Sequence, residues 1–260
     1  THSLVMKSTI FPPYSVQSRE NTSTRRNAFE SIKTMSEFER KLAQLQADLN
    51  TQGARVSDQL LKAVESSFEG DTQVAQLVVD QDEVIDRVDV EIERACIELL
   101  RIGATDEHAI RSVLTIVKVN NELERIADCA AGIAESSAKQ EHLSASAPPT
   151  FRVMANSVVG MVRDTNAALA ESDTELAVRV LSFDDTVNRF RKEIVLDVQR
   201  RTSNGLLDPL IAFDLLTVTR KLERIADYCT NICEQVIYLQ TGKIVRHLPD
   251  GWTDPETPSF

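Results

Sequence analysis

The six-residue string Leu123-Glu124-Arg125-Ile126-Ala127-Asp128 returns unchanged about 100 residues later as Leu222-Glu223-Arg224-Ile225-Ala226-Asp227. Six consecutive identities are not chance composition; they mark an internal duplication. A second pair of segments, Asp71-Thr72-Gln73-Val74-Ala75 and Asp173-Thr174-Glu175-Leu176-Ala177, keeps nearly the same register. Each copy must therefore be one supersecondary unit that the fold uses twice. Two units are too few for a solenoid, so they must cover each other's apolar faces.

Apolar residues set the type of unit. Phe38, Leu42, Leu45 and Leu49, followed by Val56, Leu60, Val64 and Phe68, recur at helical spacing. They predict one long helix, with Gly53 a candidate kink and Gly70 its end. Asp71 is placed to cap a second helix carrying Val74, Val78, Ile85, Ile92 and Cys96 on one face. Gly103 closes that helix, and Thr105 or Asp106 caps a third that runs to about Ala138. The order then repeats. Pro148 and Pro149 open a helix through Leu169, Asp173 caps the next, Asn204-Gly205 ends it, and Asp208-Pro209 starts a sixth that reaches about Gln240. The expected fold is all-α: two tandem antiparallel three-helix bundles related by pseudo-two-fold symmetry, over residues 37–140 and 148–247. Residues 1–36, rich in Ser and Thr and broken by Pro12 and Pro13, are expected to form a flexible N-terminal extension, with a transit peptide left open. Residues 248–260 are expected to be a flexible tail.

Composition narrows the class. With 42% hydrophobic residues the chain can build a proper core, and 5% aromatic residues with few Gly and Pro favour helix over strand. The formal net charge of -11, without any Lys/Arg-rich block, argues against a nucleic-acid partner. No apolar run approaches the ~20 residues of a membrane-spanning helix. Cys96, Cys129, Cys229 and Cys233 show no CxxC or zinc spacing, and Cys229 and Cys233 continue the stripe of Leu222, Ile225 and Ala226, so buried reduced thiols are expected.

The chemistry lies in carboxylates. Glu124 and Asp128 leave one helix face a turn apart, and Glu135 returns to it; the second repeat has Glu223, Asp227 and Glu234. On the second helix Asp82, Asp86, Asp89 and Glu93 follow i, i+4, i+7, i+11 and share a face. If these stripes meet, they form a groove of oxygen donors without His or Cys, suited to a hard divalent or trivalent cation: Mg²⁺, Mn²⁺, Ca²⁺ or iron. Solvated acidic faces are the plainer alternative. The second groove is poorer, because Asp184, Asn188, Arg191 and Val195 stand at the corresponding positions. It lacks three negative charges and gains a positive one, so the first site should bind metal more tightly. Arg125 and Arg224 can pair with a carboxylate one turn away, or present a guanidinium to a phosphate or an acidic partner.

The Leu-Glu-Arg-Ile-Ala-Asp strings resemble the signature of the PhoU family, a duplicated Glu-x-x-x-Asp motif often followed four residues on by Asn. Asn231 matches that position and Gly132 departs from it. The Asp82–Glu93 segment and the run Tyr238–His247 also match, so the resemblance covers about Met35 to His247. It implies a cytoplasmic, non-enzymatic negative regulator of phosphate uptake and phosphate-starvation signalling. The implied partners are the ATPase subunit of a phosphate ABC transporter and a phosphate-sensing histidine kinase. The resemblance also implies a homodimer, contact with the membrane only through those partners, and metal on the duplicated motifs. Two rival readings stand beside it. A ferritin-like carboxylate metalloenzyme would need Glu-x-x-His pairs, and His2, His108, His142 and His247 never follow an acid at that spacing. A passive helical scaffold would carry no metal.

Overall fold

A computed structural model describes residues 36–103, 106–138, 143–248 and 251–253. The expected N-terminal extension, His2, His142 and most of the expected tail lie outside the described residues. Six long helices dominate: α1 (Glu37–Glu69), α2 (Thr72–Gly103), α3 (Glu107–Ala138), α5 (Pro149–Glu171), α6 (Thr174–Ser203) and α7 (Pro209–Thr241). A single turn, α4 (Leu143–Ser146), links the halves. Arg246–Leu248 (β1) pairs antiparallel with Gly251–Thr253 (β2), so the expected tail begins within a short ladder.

Local chemistry sets the boundaries. Ser36 and Glu39 form a reciprocal capping box at the start of α1. The carboxylates of Asp71, Asp106, Asp173 and Asp208 accept from backbone N–H groups of the first turns of α2, α3, α6 and α7. The expected cap at Thr105 or Asp106 thus resolves to Asp106. Gly70 ends α1 with φ 70°, which an L side chain rarely adopts; at the equivalent place in the second repeat Ser172 takes the same left-handed conformation.

Gly53 does not interrupt α1. It lies buried against α5, where Asn166 Nδ2 donates to the Gly53 carbonyl at 2.7 Å. A Cβ at Gly53 would stand 2.7 Å from Asn166 Oδ1, so glycine here serves a close approach and not a kink.

Each repeat is an antiparallel bundle. Gln52 and Gln59 of α1 donate to the carbonyls of Ile85 and Val78 of α2; Asn120 of α3 donates to the carbonyl of Asp89 while Asp128 and Glu135 act on Asp82; and in the second repeat Arg191 meets Glu223 while Asp184 acts on Asp227, so residue numbers rise in opposite directions along these paired helices. Two seams join the repeats, α3 against α7 and α1 against α5. Both are antiparallel, as a two-fold relation requires. Arg111 reaches Tyr238, Glu122 meets Asn231 and Gly132 meets Lys221; on the other seam Gly53 meets Asn166 and Phe68 meets Phe151 edge-on at 6.0 Å. One core cluster runs through both halves: Leu123, Ile126, Ala127, Leu222, Ile225 and Ala226 of α3 and α7, and Val56, Leu60, Met154 and Val158 of α1 and α5, are all fully buried. All four cysteines are free and buried. Burial pushes the Cys96 thiol to about 11 and the Cys233 thiol to about 12, as expected of inert core thiols.

Two glycines test the role of the α1–α5 seam. Gly53→Val should displace Asn166 and cost about 1–3 kcal/mol in urea unfolding. Gly160→Ala, in α5 with nothing within 4 Å of the added Cβ, should be neutral or stabilise by up to about 1 kcal/mol. Equal effects of the two would remove the seam contact as the explanation.

Candidate functional site

The repeated string divides its residues among three faces of its helix. Leu123, Ile126 and Ala127 enter the core, Glu124 and Asp128 point towards α2, and Arg125 points to the α3–α7 seam. The helical period fixes this division. Carboxylates a turn apart on a helix whose next stripe is core must stand at the rim of the apolar interior.

The acidic stripe of α2 does face them. Asp82 and Asp89 are half-buried, while Asp86 and Glu93 are exposed. Asp82 accepts from Gln59 Nε2 at 3.3 Å and Asp89 from Asn120 Nδ2 at 2.6 Å. Glu124 is held up to about 7 by burial first, then by the negative charges of Asp128, Asp89, Asp86 and Asp82. Burial also raises Asp82 and Asp89 against their hydrogen bonds, assisted by Asp128, Asp86 and Glu135 at Asp82 and by Glu93 and Asp86 at Asp89. The structure therefore brings Asp82, Asp86, Asp89, Glu124 and Asp128 into one electrostatic group, with Glu93 beyond Asp89 and Glu135 beside Asp82. Among the described residues no three acidic, His or Cys side chains already converge tightly enough to enclose a metal ion. The donor chemistry, carboxylate oxygens without His or Cys, is of the kind that suits a hard cation.

The second groove is closed from within. Arg191 Nε lies 2.7 Å from Glu223 Oε2, and Asn188 Nδ2 donates to Asp184 Oδ2 at 2.8 Å. Asp184 is buried, and Asp227 opposite it is raised to about 6 by burial, Asp184 and Glu223, against the opposing pull of Arg224 and Arg191. Asp184, Glu223 and Asp227 do come together, but around a guanidinium that the first groove lacks. Glu234, expected to belong with them, lines the α3–α7 seam near Glu122 and Asn231.

The two arginines of the string behave differently. Arg125 pairs with Glu122 at 3.4 Å, three residues away. Arg224 donates to the Tyr228 hydroxyl from Nη2 at 2.7 Å and from Nε at 3.2 Å. Gln59, Asn120 and Tyr228 escape a reading by charge alone, because their identity in sequence is that of ordinary polar or aromatic helix residues. The one visible signal was the position of Gln59 and Asn120 on otherwise apolar stripes.

A PhoU domain family model matches residues 49–137 and 151–236, one match per bundle. The Phosphate-specific transport system accessory protein PhoU homolog 1 of Thermotoga maritima is 32% identical over 216 residues, 82% of this chain and 93% of that relative. The Phosphate-specific transport system accessory protein PhoU of Escherichia coli is 27% identical over 215 residues, covering 82% and 88%. The crystal structure of PhoU from Pseudomonas aeruginosa superposes with a TM-score of 0.75 at 27% identity, over 79% of this chain and 100% of that one. A second crystal structure, from Streptococcus pneumoniae, superposes equally well at 24% identity over 81% of this chain and supports the fold.

Glu124 makes stability depend on pH in a particular direction. Between its ordinary 4.5 and its folded value of about 7, the folded protein holds a proton that the unfolded chain has released. Stability conferred by that proton is present at low pH and is lost as pH rises through about 7. After discounting for the solvent-open rim, the loss between pH 5.5 and 8 should be about 1–2 kcal/mol in urea unfolding with chelator present. Glu124→Gln should reduce the dependence, leaving the smaller part that Asp227, raised to about 6, contributes at the lower end of the range, and a metal-free protein that gains stability over that range would contradict the assignment.

Proposed function

Because this chain belongs to the PhoU family, we propose that it regulates phosphate uptake as an accessory of a phosphate-specific transport system, restraining uptake and starvation signalling when phosphate is plentiful. The observation that carries the reading is the pairing of two PhoU-domain bundles, the first with a groove in which Glu124, Asp82 and Asp89 are raised by burial and by neighbouring carboxylates. The names borne by its relatives supply the phosphate system. The intended partners are the ATPase subunit of the transporter and a phosphate-sensing histidine kinase, met by a homodimer in the cytoplasm. Among the described residues no helix is long and apolar enough to cross a membrane, which suits contact with a membrane system through partner proteins. The protein acts by binding and not by catalysis.

In this reading Asp82, Asp86, Asp89, Glu124 and Asp128, with Glu93 at the end of the stripe, hold a hard cation such as iron, Mn²⁺, Mg²⁺ or Ca²⁺. The cation supplies positive charge that relieves the mutual repulsion of the half-buried carboxylates. Asp184, Glu223 and Asp227 form the weaker site, because Arg191 already supplies that charge to Glu223.

Deletion of the gene should leave transporter and alkaline phosphatase expression high in phosphate-rich medium; unchanged expression would refute the regulatory role. Metal content and calorimetry of the purified protein test the site separately. Asp128→Asn should remove most bound metal and Asp227→Asn little, whereas Arg191→Gln should raise occupancy of the second groove. Equal losses from the two Asp changes would show the grooves to be equivalent.

A further inference from the structure

The α3–α7 seam is symmetric in backbone and antisymmetric in charge. On one side of the pseudo-two-fold axis Asn231 Nδ2 donates to Glu122 Oε2 at 3.3 Å. At the related point Gly132 replaces the Asn and Lys221 replaces the Glu. A Cβ on Gly132 would overlap Lys221 Nζ and stand 2.7 Å from Cε, so the missing side chain is what lets the Lys221 ammonium lie across α3. Among the described residues that ammonium has no hydrogen bond or ion pair.

Two more cations converge there. The guanidinium carbons of Arg125 and Arg224 each lie 5.8 Å from the centroid of the Tyr228 ring, one from each repeat. The Tyr228 hydroxyl accepts from Arg224, which leaves its own proton free to donate. Lys221 and Arg224 are three residues apart and share a helix face. Together with Glu124 and Asp128 these groups line a cleft of about 580 Å³, within the range of small-ligand sites. In a chain of net charge -11 its lining carries three cations against two carboxylates, and one of the cations, Arg125, is also paired with Glu122.

We propose that this cleft binds a phosphate-class oxyanion, held by Arg224, Lys221 and Arg125 with the Tyr228 hydroxyl as a further donor. A tetrahedral dianion takes several donors at once, and planar guanidinium forks match its edges while the ammonium adds a point charge. Glu124 and Asp128 line the same cleft and repel an acidic peptide laid along it, whereas a compact anion spans less of the lining. The site goes beyond the regulatory reading and needs no metal in the acidic groove.

Equilibrium dialysis of the full chain against radiolabelled orthophosphate at pH 7.5, with chelator present, tests this directly. Wild type should bind saturably. Lys221→Gln and Arg224→Gln should each weaken binding at least tenfold. Gly132→Ala should weaken it several-fold, since only the flexible end of Lys221 has to move and the helix keeps its fold. Glu122→Gln, which releases Arg125, should not weaken it. Circular dichroism and thermal melting establish that each variant is folded, and metal content should be unchanged in Lys221→Gln, which separates failure of this site from failure of the metal site. Competition by glycerol 3-phosphate as well as orthophosphate would identify a phosphoryl group as the ligand; competition by orthophosphate alone would identify the free ion. The proposal is overturned if wild type shows no saturable binding, if the Lys221 and Arg224 variants bind as wild type does, or if a polyglutamate peptide binds there and orthophosphate does not.

Discussion

The contact between α3 and α7 is the one on which the rest of the molecule depends. These helices carry the repeated string, and their antiparallel packing buries both copies of its Leu, Ile and Ala residues at the centre. Once those apolar positions are committed to the core, the helical period leaves no freedom for the others. Glu124, Asp128, Glu223 and Asp227 are turned outward to α2 and α6, and the arginines are turned to the seam. A shift of either helix by a single residue would move carboxylates towards the apolar interior, where an uncompensated charge costs several kcal/mol. Acidic grooves, basic cleft and hydrophobic centre are therefore consequences of one register.

Duplication has been followed by divergence of charge rather than of shape. Both repeats keep the same three-helix path, yet Asp89 of the first corresponds to Arg191 of the second, and Glu122 to Lys221. In the second groove the substitution supplies a permanent internal cation at 2.7 Å from Glu223. In the first the corresponding charge has to come from protons or from solution, and Glu124 registers this by holding its proton to about 7. The second bundle thus carries part of its compensation internally, with Asp227 raised only to about 6, and the first depends more on what surrounds it.

The helices and their order were readable because amphipathic period, caps and breakers act locally: Asp71, Asp173 and Asp208 cap their helices by rules that need no knowledge of the fold. The direction of each acidic stripe around its own helix was also readable, since spacing along a helix fixes it, but that the two stripes meet was a condition the spacing alone does not supply. Features that depend on how two helices meet were not. Gly53 reads as a kink in one dimension and turns out to be a contact for Asn166 in three. Glu234 keeps the spacing of Glu135 and yet lies on the seam. The docking of Lys221 over Gly132 joins residues far apart in the chain, and its only trace was a glycine where the family pattern often has asparagine.

The buried cysteines turn a packing detail into a built-in clock. Cys96 lies in α2, Cys129 in α3, and Cys229 and Cys233 in α7, so three of the six long helices carry a thiol that is silent while its helix stays packed. Raised thiol pKa values keep the reactive thiolate scarce even when a reagent reaches the surface. Modification of Cys96, Cys229 and Cys233 then waits on opening of the particular layer that hides each sulfur, while Cys129 lies at the wall of the basic cleft. The order in which the four thiols react would trace which parts of the paired bundles come apart first, and whether the central seam is the last to yield.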